Sequence, residues 1–372
     1  MSDIDLPVPM LDLTGQFRQL QDEWLAAIRE TGGTGAFVLG PNVAAFESEF
    51  SEFVGVEHAV GVANGTDALL LSLRALDIGP GDEVITTPFT FFATAEVISL
   101  VGATPVFVDI EEDGFNIDPD RIAAGVTDRT RAIIPVHLFG RPADMTKIEK
   151  VAREHSLEVI EDCAQAFGAE HGGARVGSLG AMGCFSFYPT KILGGYGDGG
   201  MITARSAELA ERLRRLRNHG ATAPFVHATV GYNSRLDEIQ AALLRIKLRH
   251  IDRIIKGRQI IAGAYDRGLE SMDMRTPSRP PNGRHVFNLY TIRTPHRDRL
   301  REGLGHHNIG SAVCYPQPLH LQEVYRGLGY RAGSLPVAEA LSREVLSLPI
   351  FPEMTQAQVD RVCEVIRATL NA

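Results

Sequence analysis

Short runs of apolar residues alternate with stretches of helical spacing through the first half of the chain, and this alternation predicts the fold. Between residues 58 and 161 the apolar runs are continuous rather than interleaved with polar residues, as is typical of strands buried on both faces. The predicted strands are 58–63, 83–87, 105–109, 131–136 and 157–161, and the predicted helices are 66–76, 91–100, 118–124 and 144–155. This order predicts an α/β domain with a mainly parallel sheet.

The pattern changes at both ends of this region. Residues 1–15 are rich in proline and predict an arm, and the helix that follows should break at Thr31–Gly35. The other elements predicted outside the sheet region are helices at 16–30, 41–53, 207–217, 238–255, 298–304, 336–347 and 355–370, and strands at 199–204, 286–291 and 311–315. We therefore divide the chain into an arm (1–15), a large domain (16–255) whose mixed, mainly parallel sheet lies between helices, and a small α+β domain (256–372).

One lysine, Lys191, lies between an aromatic strand and a turn dense in glycine. Glycine permits positive φ and the close approach of a ligand. A lone lysine in so enclosed a place predicts an amine that forms a Schiff base with an aldehyde cofactor. The run Gly195–Gly200 formally matches G-x-G-x-x-G, but a strand follows it where a dinucleotide site needs a helix, so we reject such a site.

Three further positions suggest how a cofactor would be held. Gly65 and Thr66 begin a helix after a strand, which suits a phosphate, although the same residue types are common helix caps; Ser186 offers another hydroxyl. Asp162 ends a buried strand, where a carboxylate can keep a pyridine nitrogen protonated or cap a helix. Phe91 follows another strand and has either a stacking role on a flat ring or, more commonly for one phenylalanine, a packing role.

Composition limits the classes of binding partner and the cellular compartment that we expect for this protein. The hydrophobic content of 44% and the net charge of −9 are typical of a soluble globular protein and argue against nucleic acid or an anionic membrane as the main partner. We find no signal-peptide pattern and no apolar run of membrane-spanning length. The four cysteines include no C-x-x-C pair, so we expect no metal site and a cytoplasmic protein with reduced thiols.

Several blocks, in one order and spread over almost the whole length, make the chain resemble the DegT/StrS family of sugar aminotransferases. That family has the aspartate-aminotransferase-like fold (fold type I) and uses pyridoxal 5'-phosphate (PLP). The blocks are Ala63–Ala68, Gly79–Ile85, Pro135–Gly140, Ile160–Gln165, Ser186–Lys191, Gly197–Gly200 and Gly231–Gln240.

The resemblance implies roles for individual residues. Lys191 would be the lysine that binds the cofactor aldehyde, and Asp162 would pair with the pyridine nitrogen. The other implied cofactor contacts are stacking by Phe91, a bond from Gln165 to the ring hydroxyl, and phosphate binding by Gly65, Thr66, Ser186 and the neighbouring subunit's Asn233. Arg235, Tyr315 and His320 would contact the substrate, and Cys314 occupies a position where many relatives have histidine.

The implied reaction moves an amino group from L-glutamate, through pyridoxamine 5'-phosphate (PMP), to a keto sugar linked to a nucleotide, in a homodimer with shared active sites. The segments Val230–Asp237 and Tyr315–His320 look more like those of relatives that act on 3-keto sugars, which favours C3 over C4 amination. The sequence also leaves open another fold-type-I enzyme, such as an amino-acid lyase, or an inert regulatory relative. Relatives that dehydrate sugars have histidine in place of the lysine, so Lys191 argues against that branch.

Overall fold

The computed structural model describes residues 7–371, so residues 1–6 of the predicted arm lie outside the described range. The helices are α1 (Thr14–Thr34), α2 (Pro41–Val54), α3 (Gly65–Ala75), α4 (Ala93–Leu100), α5 (Pro119–Ile122), α6 (Met145–Glu154), α7 (Ala207–Leu216), α8 (Glu238–Arg249), α9 (Ile251–Leu269), α10 (Arg297–His306), α11 (Pro336–Glu344) and α12 (Gln356–Asn371). The strands are β1 (His58–Val62), β2 (Glu83–Thr86), β3 (Thr104–Phe107), β4 (Thr130–Ile134), β5 (Glu158–Asp162), β6 (Glu170–His171), β7 (Ala174–Arg175), β8 (Met182–Ser186), β9 (Gly200–Ala204), β10 (Ala221–Ala223), β11 (Val226–His227), β12 (Gly283–Arg284), β13 (Tyr290–Arg293) and β14 (Val345–Leu348). None of these helices is both long and apolar enough to cross a membrane.

A seven-stranded sheet in the order β1-β9-β8-β5-β4-β2-β3 forms the centre of the molecule. Strand β9 pairs antiparallel with both of its neighbours, and the remaining pairs are parallel. All strands except β9 therefore run in one direction, which confirms the prediction of a mixed, mainly parallel sheet. Their carboxyl ends meet at one edge.

The sheet is covered by helices on both faces because its strands bury side chains on both. In β8, Phe185 packs into a core formed with α2 and α8, whereas Met182 and Cys184 pack into a second core formed with α3 and α7. Strand β9 divides in the same way, with Met201 on the first face and Ile202 on the second. This two-residue period is the ordinary consequence of strand geometry, and it accounts for the apolar runs in the sequence.

A smaller region follows the sheet. Strands β13 and β14 pair antiparallel, and α9, α10 and α12 pack with them around a third core, which Val8 also joins. Helix α9 contributes to two cores: Ile251, Ile254 and Ile255 pack with the central sheet, and its residues from Ile261 onward pack with the third core. This change of partner occurs between Ile255 and Ile261, close to the domain boundary predicted at residue 255.

Three helix boundaries differ from the prediction. The first helix continues through the expected break to Thr34 and ends at Gly35, whose φ of 68° is left-handed. The helix predicted at 238–255 is two helices, because α8 ends at Arg249 and α9 starts at Ile251 after a turn at His250. The helix predicted at 336–347 ends at Glu344, since the next four residues pair with β13.

The small region also contains the two strand predictions that were wrong. The strand expected at 286–291 lies later, at β13, and the strand expected at 311–315 is reduced to a single bridge between Ala312 and Ser347. In both cases the pairing partner comes from the distant strand β14 and its surroundings, so local composition did not determine where the strand begins.

Candidate active site

The carboxyl-end edge of the sheet brings together residues that are far apart in sequence. Strands β1, β2, β5 and β8 all end there, and each is followed or ended by predicted site residues. These residues are Gly65 and Thr66 after β1, Phe91 after β2, Asp162 at the end of β5 with Gln165 beyond it, and Ser186 at the end of β8 with Lys191 beyond it. In open sheets of this type, ligands bind at this edge.

The start of α3 lies against the end of β8. The Asn64 side chain accepts a hydrogen bond from the Asp67 amide at 2.7 Å and so caps the helix. A Cβ atom at Gly65 would lie 2.7 Å from the Ser186 Cβ, so only glycine permits this approach. Because Asn64 is the N-cap of α3, Gly65 and Thr66 are not needed as capping residues. The helix start and a serine hydroxyl form a cradle suited to an anion.

Asp162 is buried, and two donors hold its carboxylate in place. Its Oδ2 accepts a 2.8 Å hydrogen bond from the Thr94 hydroxyl, and its Oδ1 accepts one at 3.1 Å from the Ala164 amide. Burial raises the pKa of Asp162, while these hydrogen bonds and the charge of Lys191 oppose the rise. The Ala164 bond closes a turn rather than a helix, so Asp162 is not a helix cap.

Gln165 is linked to the small region. Its Oε1 accepts a hydrogen bond from the Phe139 amide at 3.0 Å, and its Nε2 donates to the Tyr315 hydroxyl at 2.8 Å. The rings of Phe139 and Tyr315 stack, with centroids 6.1 Å apart and planes 14° apart. Gln165 is therefore oriented from both sides, and one Nε2 hydrogen is left for a further acceptor.

Lys191 is partly buried in the turn between β8 and β9. Its amide donates to the Tyr188 carbonyl at 2.9 Å, and the Gly195 amide donates to the Phe187 carbonyl at 2.7 Å. Burial lowers the pKa of Lys191, whereas the carboxylate of Asp162 opposes the change. The residue therefore has the property required of a lysine nucleophile, a larger neutral fraction than a free lysine.

Two of the predicted site residues lie beside a hairpin. Strands β10 and β11 form this hairpin, and Asn218 and Asn233 make a bridge at its base. The Arg235 guanidinium donates to the Asn218 Oδ1 at 3.0 Å, and the Asn233 side chain is exposed. Asn233 and Arg235 are thus close to each other at the hairpin base.

The remaining predicted residues differ in exposure. Phe91 is 63% exposed, which leaves its ring face open to a ligand. His320 is almost completely buried; its Nε2 is 3.1 Å from the Glu339 Oε1, and the Leu319 amide beside it donates to the Pro88 carbonyl at 2.8 Å. The segment that contains His320 therefore contacts the loop that leads to Phe91 through Leu319, and a direct contact of His320 with substrate stays a prediction.

Some residues that shape the edge were not found from the sequence. Thr94 orients Asp162 and itself lies 3.0 Å from the Thr90 hydroxyl, but an interior threonine in a predicted helix carries no distinctive signal. The buried pair His137 and Glu161 lies behind Asp162, with a separation of 3.0 Å between His137 Nε2 and Glu161 Oε2.

His137 and Glu161 also form, with Cys163, a group whose ligand-type atoms lie within 4.8 Å of one another. Both nitrogens of His137 and both oxygens of Glu161 are already engaged within the chain: the Ala143 amide bonds to Nδ1, and the amides of residues 177, 179 and 180 bond to the carboxylate. The group therefore braces the end of β5, and its donor set does not favour a metal.

A family model matches residues 18–367, nearly the full length of the chain. Its description is the DegT/DnrJ/EryC1/StrS aminotransferase family. The chain belongs to this family. The resemblance seen in the sequence blocks is thereby confirmed.

Individual relatives agree with this membership. The chain is 49% identical to a protein of Geobacillus stearothermophilus called a pleiotropic regulatory protein, over 96% of this chain and 97% of that one. It is 48% identical to the UDP-N-acetyl-3-dehydro-alpha-D-glucosamine 3-aminotransferase of Acidithiobacillus ferrooxidans, over 98% of each chain.

Solved structures share the fold. DesV of Streptomyces venezuelae, in complex with a ketimine intermediate, matches with a TM-score of 0.95 and 45% identity over 97% of this chain and 98% of that one. NtdA of Bacillus subtilis with bound PMP matches with a TM-score of 0.93 and 28% identity over 100% of this chain and 87% of that one.

Proposed function

We propose that this chain is a PLP-dependent aminotransferase that moves an amino group from L-glutamate to C3 of a keto sugar linked to UDP or dTDP. The observation that carries the proposal is the arrangement of Lys191 and Asp162 at the edge of the sheet where Gly65 and Ser186 form an anion cradle. The relative from Acidithiobacillus, which is named for amination at C3 of a UDP sugar, supports the choice of carbon and substrate class.

The residues present fit PLP. The start of α3 and Ser186 would hold the phosphate, since only a glycine at position 65 permits their close approach. Asp162 would pair with the ring nitrogen: burial disfavours its charge in the chain alone, and a positive ring nitrogen would compensate that cost. Gln165 has an amide hydrogen left for the ring hydroxyl, and Phe91 has an exposed ring for stacking.

When bound, PLP supplies an aldehyde that captures amines and a ring that accepts the electrons released at the substrate carbon. The chain supplies the proton transfer. A neutral Lys191 Nζ takes a proton from the donor carbon that bears the amino group and later returns one to the sugar carbon. The lowered pKa of Lys191 enlarges the neutral fraction of the amine, which is the form that this step requires.

We place Arg235, Tyr315 and His320 on the substrate side of the site, directly or through their neighbours. Tyr315 connects to Gln165 and is adjacent to Cys314, the position where many relatives have histidine. Because a buried thiol is neutral and smaller than an imidazole, Cys314 would leave more room beside Lys191 and offer no cation. The unpaired state of all four cysteines supports a cytoplasmic location.

We further propose a homodimer with shared sites. The β10–β11 hairpin and the residues after it are exposed: Phe225 in the hairpin turn is 98% accessible, and Val230 beyond β11 is 81% accessible. Apolar side chains so exposed and close together are typical of an interface. Asn233, at the base of this hairpin, would reach the phosphate of the neighbouring subunit. Mixing Lys191→Ala and Asn233→Ala subunits should restore part of the activity that each lacks; no gain in any mixture would contradict the shared site.

The test of the main proposal is a spectroscopic titration. The purified protein should be yellow, and glutamate should remove the visible band while 2-oxoglutarate is released; a 3-keto nucleotide sugar should then restore the band. Lys191→Ala should abolish both changes, whereas Lys256→Ala, a change of an exposed lysine on α9, should not. A band and full activity in Lys191→Ala would overturn the proposal.

Recovery with a 4-keto sugar alone would show C4 amination instead. The regulatory name of the Geobacillus relative makes a non-catalytic role the second candidate. That role predicts no reaction with glutamate even when the cofactor is bound.

A further inference from the structure

A second buried lysine contacts the turn that carries Lys191. Lys247 lies on α8 and is only 4% exposed. Its Nζ donates a hydrogen bond to the Gly194 carbonyl at 2.9 Å. Because lysines are rarely buried, the position of Lys247 beside this turn needs an explanation.

Gly194 closes the Lys191 turn tightly. It lies three residues after Lys191, and a Cβ atom there would be 2.4 Å from the Pro189 carbonyl oxygen and 2.9 Å from the Tyr188 carbonyl oxygen. The turn is thus folded back on its own backbone, and the Gly194 carbonyl is the point at which a neighbouring helix holds it. A shift of this carbonyl would move the backbone from which Lys191 projects.

Lys191 and Lys247 also line the same small cavity. Its volume is about 10 Å³, and Asp12, Arg258 and Glu353 contribute to its wall. A space of this size admits no more than one water molecule, so it is not a ligand pocket. It marks the place where the N-terminal segment, α8, α9 and the chain after β14 meet behind the Lys191 turn.

We propose that Lys247 is a positioning residue for Lys191: anchored on α8, its ammonium group holds the Gly194 carbonyl and so fixes the turn that presents the Lys191 Nζ. This inference rests on the proposed function of Lys191. It assigns Lys247 no contact with substrate or cofactor.

The electrostatic environment makes the contact sensitive to pH. Burial and the nearby Arg258 charge lower the pKa of Lys247 to about 7, and Glu353 opposes them. The other charged groups at the cavity are Lys191 and Asp12, and Asp12 is engaged by Thr14 and Gly15. A protonated amine donates a stronger hydrogen bond than a neutral one, so the hold on the Gly194 carbonyl should weaken as pH rises through 7.

The experiment compares Lys247→Met, which keeps the length but removes the donor, with Lys247→Arg, which keeps donor and charge. Lys256→Met on α9 is the matched control. The first readout is hydrogen exchange of residues 187–200 in the purified full-length protein, normalised to an unstructured reference peptide. We expect exchange about 10- to 100-fold faster in Lys247→Met, as loss of one charged hydrogen bond implies, and protection recovered in Lys247→Arg.

The second readout is the rate of the reaction with glutamate between pH 6 and 9. In Lys247→Met the rate should fall about tenfold or more, the KM for glutamate should change less than threefold, and the inflection near pH 7 should disappear. Wild-type exchange and a wild-type pH profile in Lys247→Met, or no protection in Lys247→Arg, would overturn the inference. A wild-type protein that does not react with glutamate would overturn the proposed function instead, and the exchange comparison would still decide the role of Lys247.

Discussion

Replacing Lys247 with methionine should make the protein more stable at neutral pH even though it impairs the proposed site. Burial of the charged Lys247 ammonium destabilises the folded protein, and this cost lowers the pKa of the group from 10.5 to about 7. This difference of about 3.5 pKa units corresponds to about 5 kcal/mol at 1.36 kcal/mol per unit. At pH 7, where the folded group is half protonated, about 4 kcal/mol of the penalty is present.

Methionine would relieve this penalty, but it would also remove the stabilising hydrogen bond to the Gly194 carbonyl. A hydrogen bond from a charged donor contributes about 1.5–3 kcal/mol, so the net effect at pH 7 is a stabilisation of about 1–3 kcal/mol. The folded pKa lies below the unfolded one, so the penalty is complete below pH 7 and disappears as pH rises toward 10.5. By pH 9 it is about 2 kcal/mol, and the advantage of the variant should be nearly gone.

Urea unfolding of the purified full-length protein, followed by circular dichroism at pH 7 and pH 9, measures both values. Lys256→Met controls for the removal of one lysine from an exposed site and should show no pH-dependent difference from wild type. A Lys247→Met protein that is less stable than wild type at pH 7, or whose advantage is the same at both pH values, would refute the reasoning.

Three further substitutions test the cofactor edge. Gly65→Ala would bring a methyl group to 2.7 Å from the Ser186 Cβ and should weaken cofactor binding at least tenfold in equilibrium dialysis; unchanged affinity would argue against the phosphate cradle. Thr94→Val removes the hydroxyl that donates to Asp162 and should slow the reaction with glutamate about 10- to 100-fold, whereas Thr94→Ser should retain most of the rate. Tyr315→Phe removes the hydroxyl that accepts a hydrogen bond from the Gln165 amide, and it should slow turnover about 3- to 10-fold in a coupled assay. A larger effect on KM than on kcat would instead indicate that Tyr315 contacts the substrate directly.

The convergence of the candidate site residues at one edge could be predicted from the sequence, because strand ends carry strong local signals. Asp162 follows a continuous apolar run and Lys191 precedes a glycine-dense turn, so a parallel sheet alone implies that the two converge. The cradle at Gly65 followed from the same reasoning. The structure added one argument for this cradle that the sequence could not supply: Asn64 caps the helix, so Gly65 and Thr66 are not required as capping residues.

Other features depend on contacts between distant segments and had no local signature. Lys247 lies within an amphipathic helix, where a lysine is ordinarily assumed to be exposed, and its burial results from α9 and the chain after β14 packing over it. The burial of His320 and its pairing with Glu339 likewise had no local signature, and its contact with the substrate stays a prediction. The turn at His250 divides a helical pattern that continues on both sides without proline or glycine.

The passage of α9 through two hydrophobic cores has a mechanical consequence. A helix of 19 residues is about 28 Å long and resists bending, so the two regions are connected by a stiff lever rather than by a flexible linker. Rotation of one region against the other must pivot this lever inside both cores or bend it between Ile255 and Ile261. A large hinge opening between the two regions is therefore disfavoured. The same lever should make the two cores melt together, in one cooperative transition.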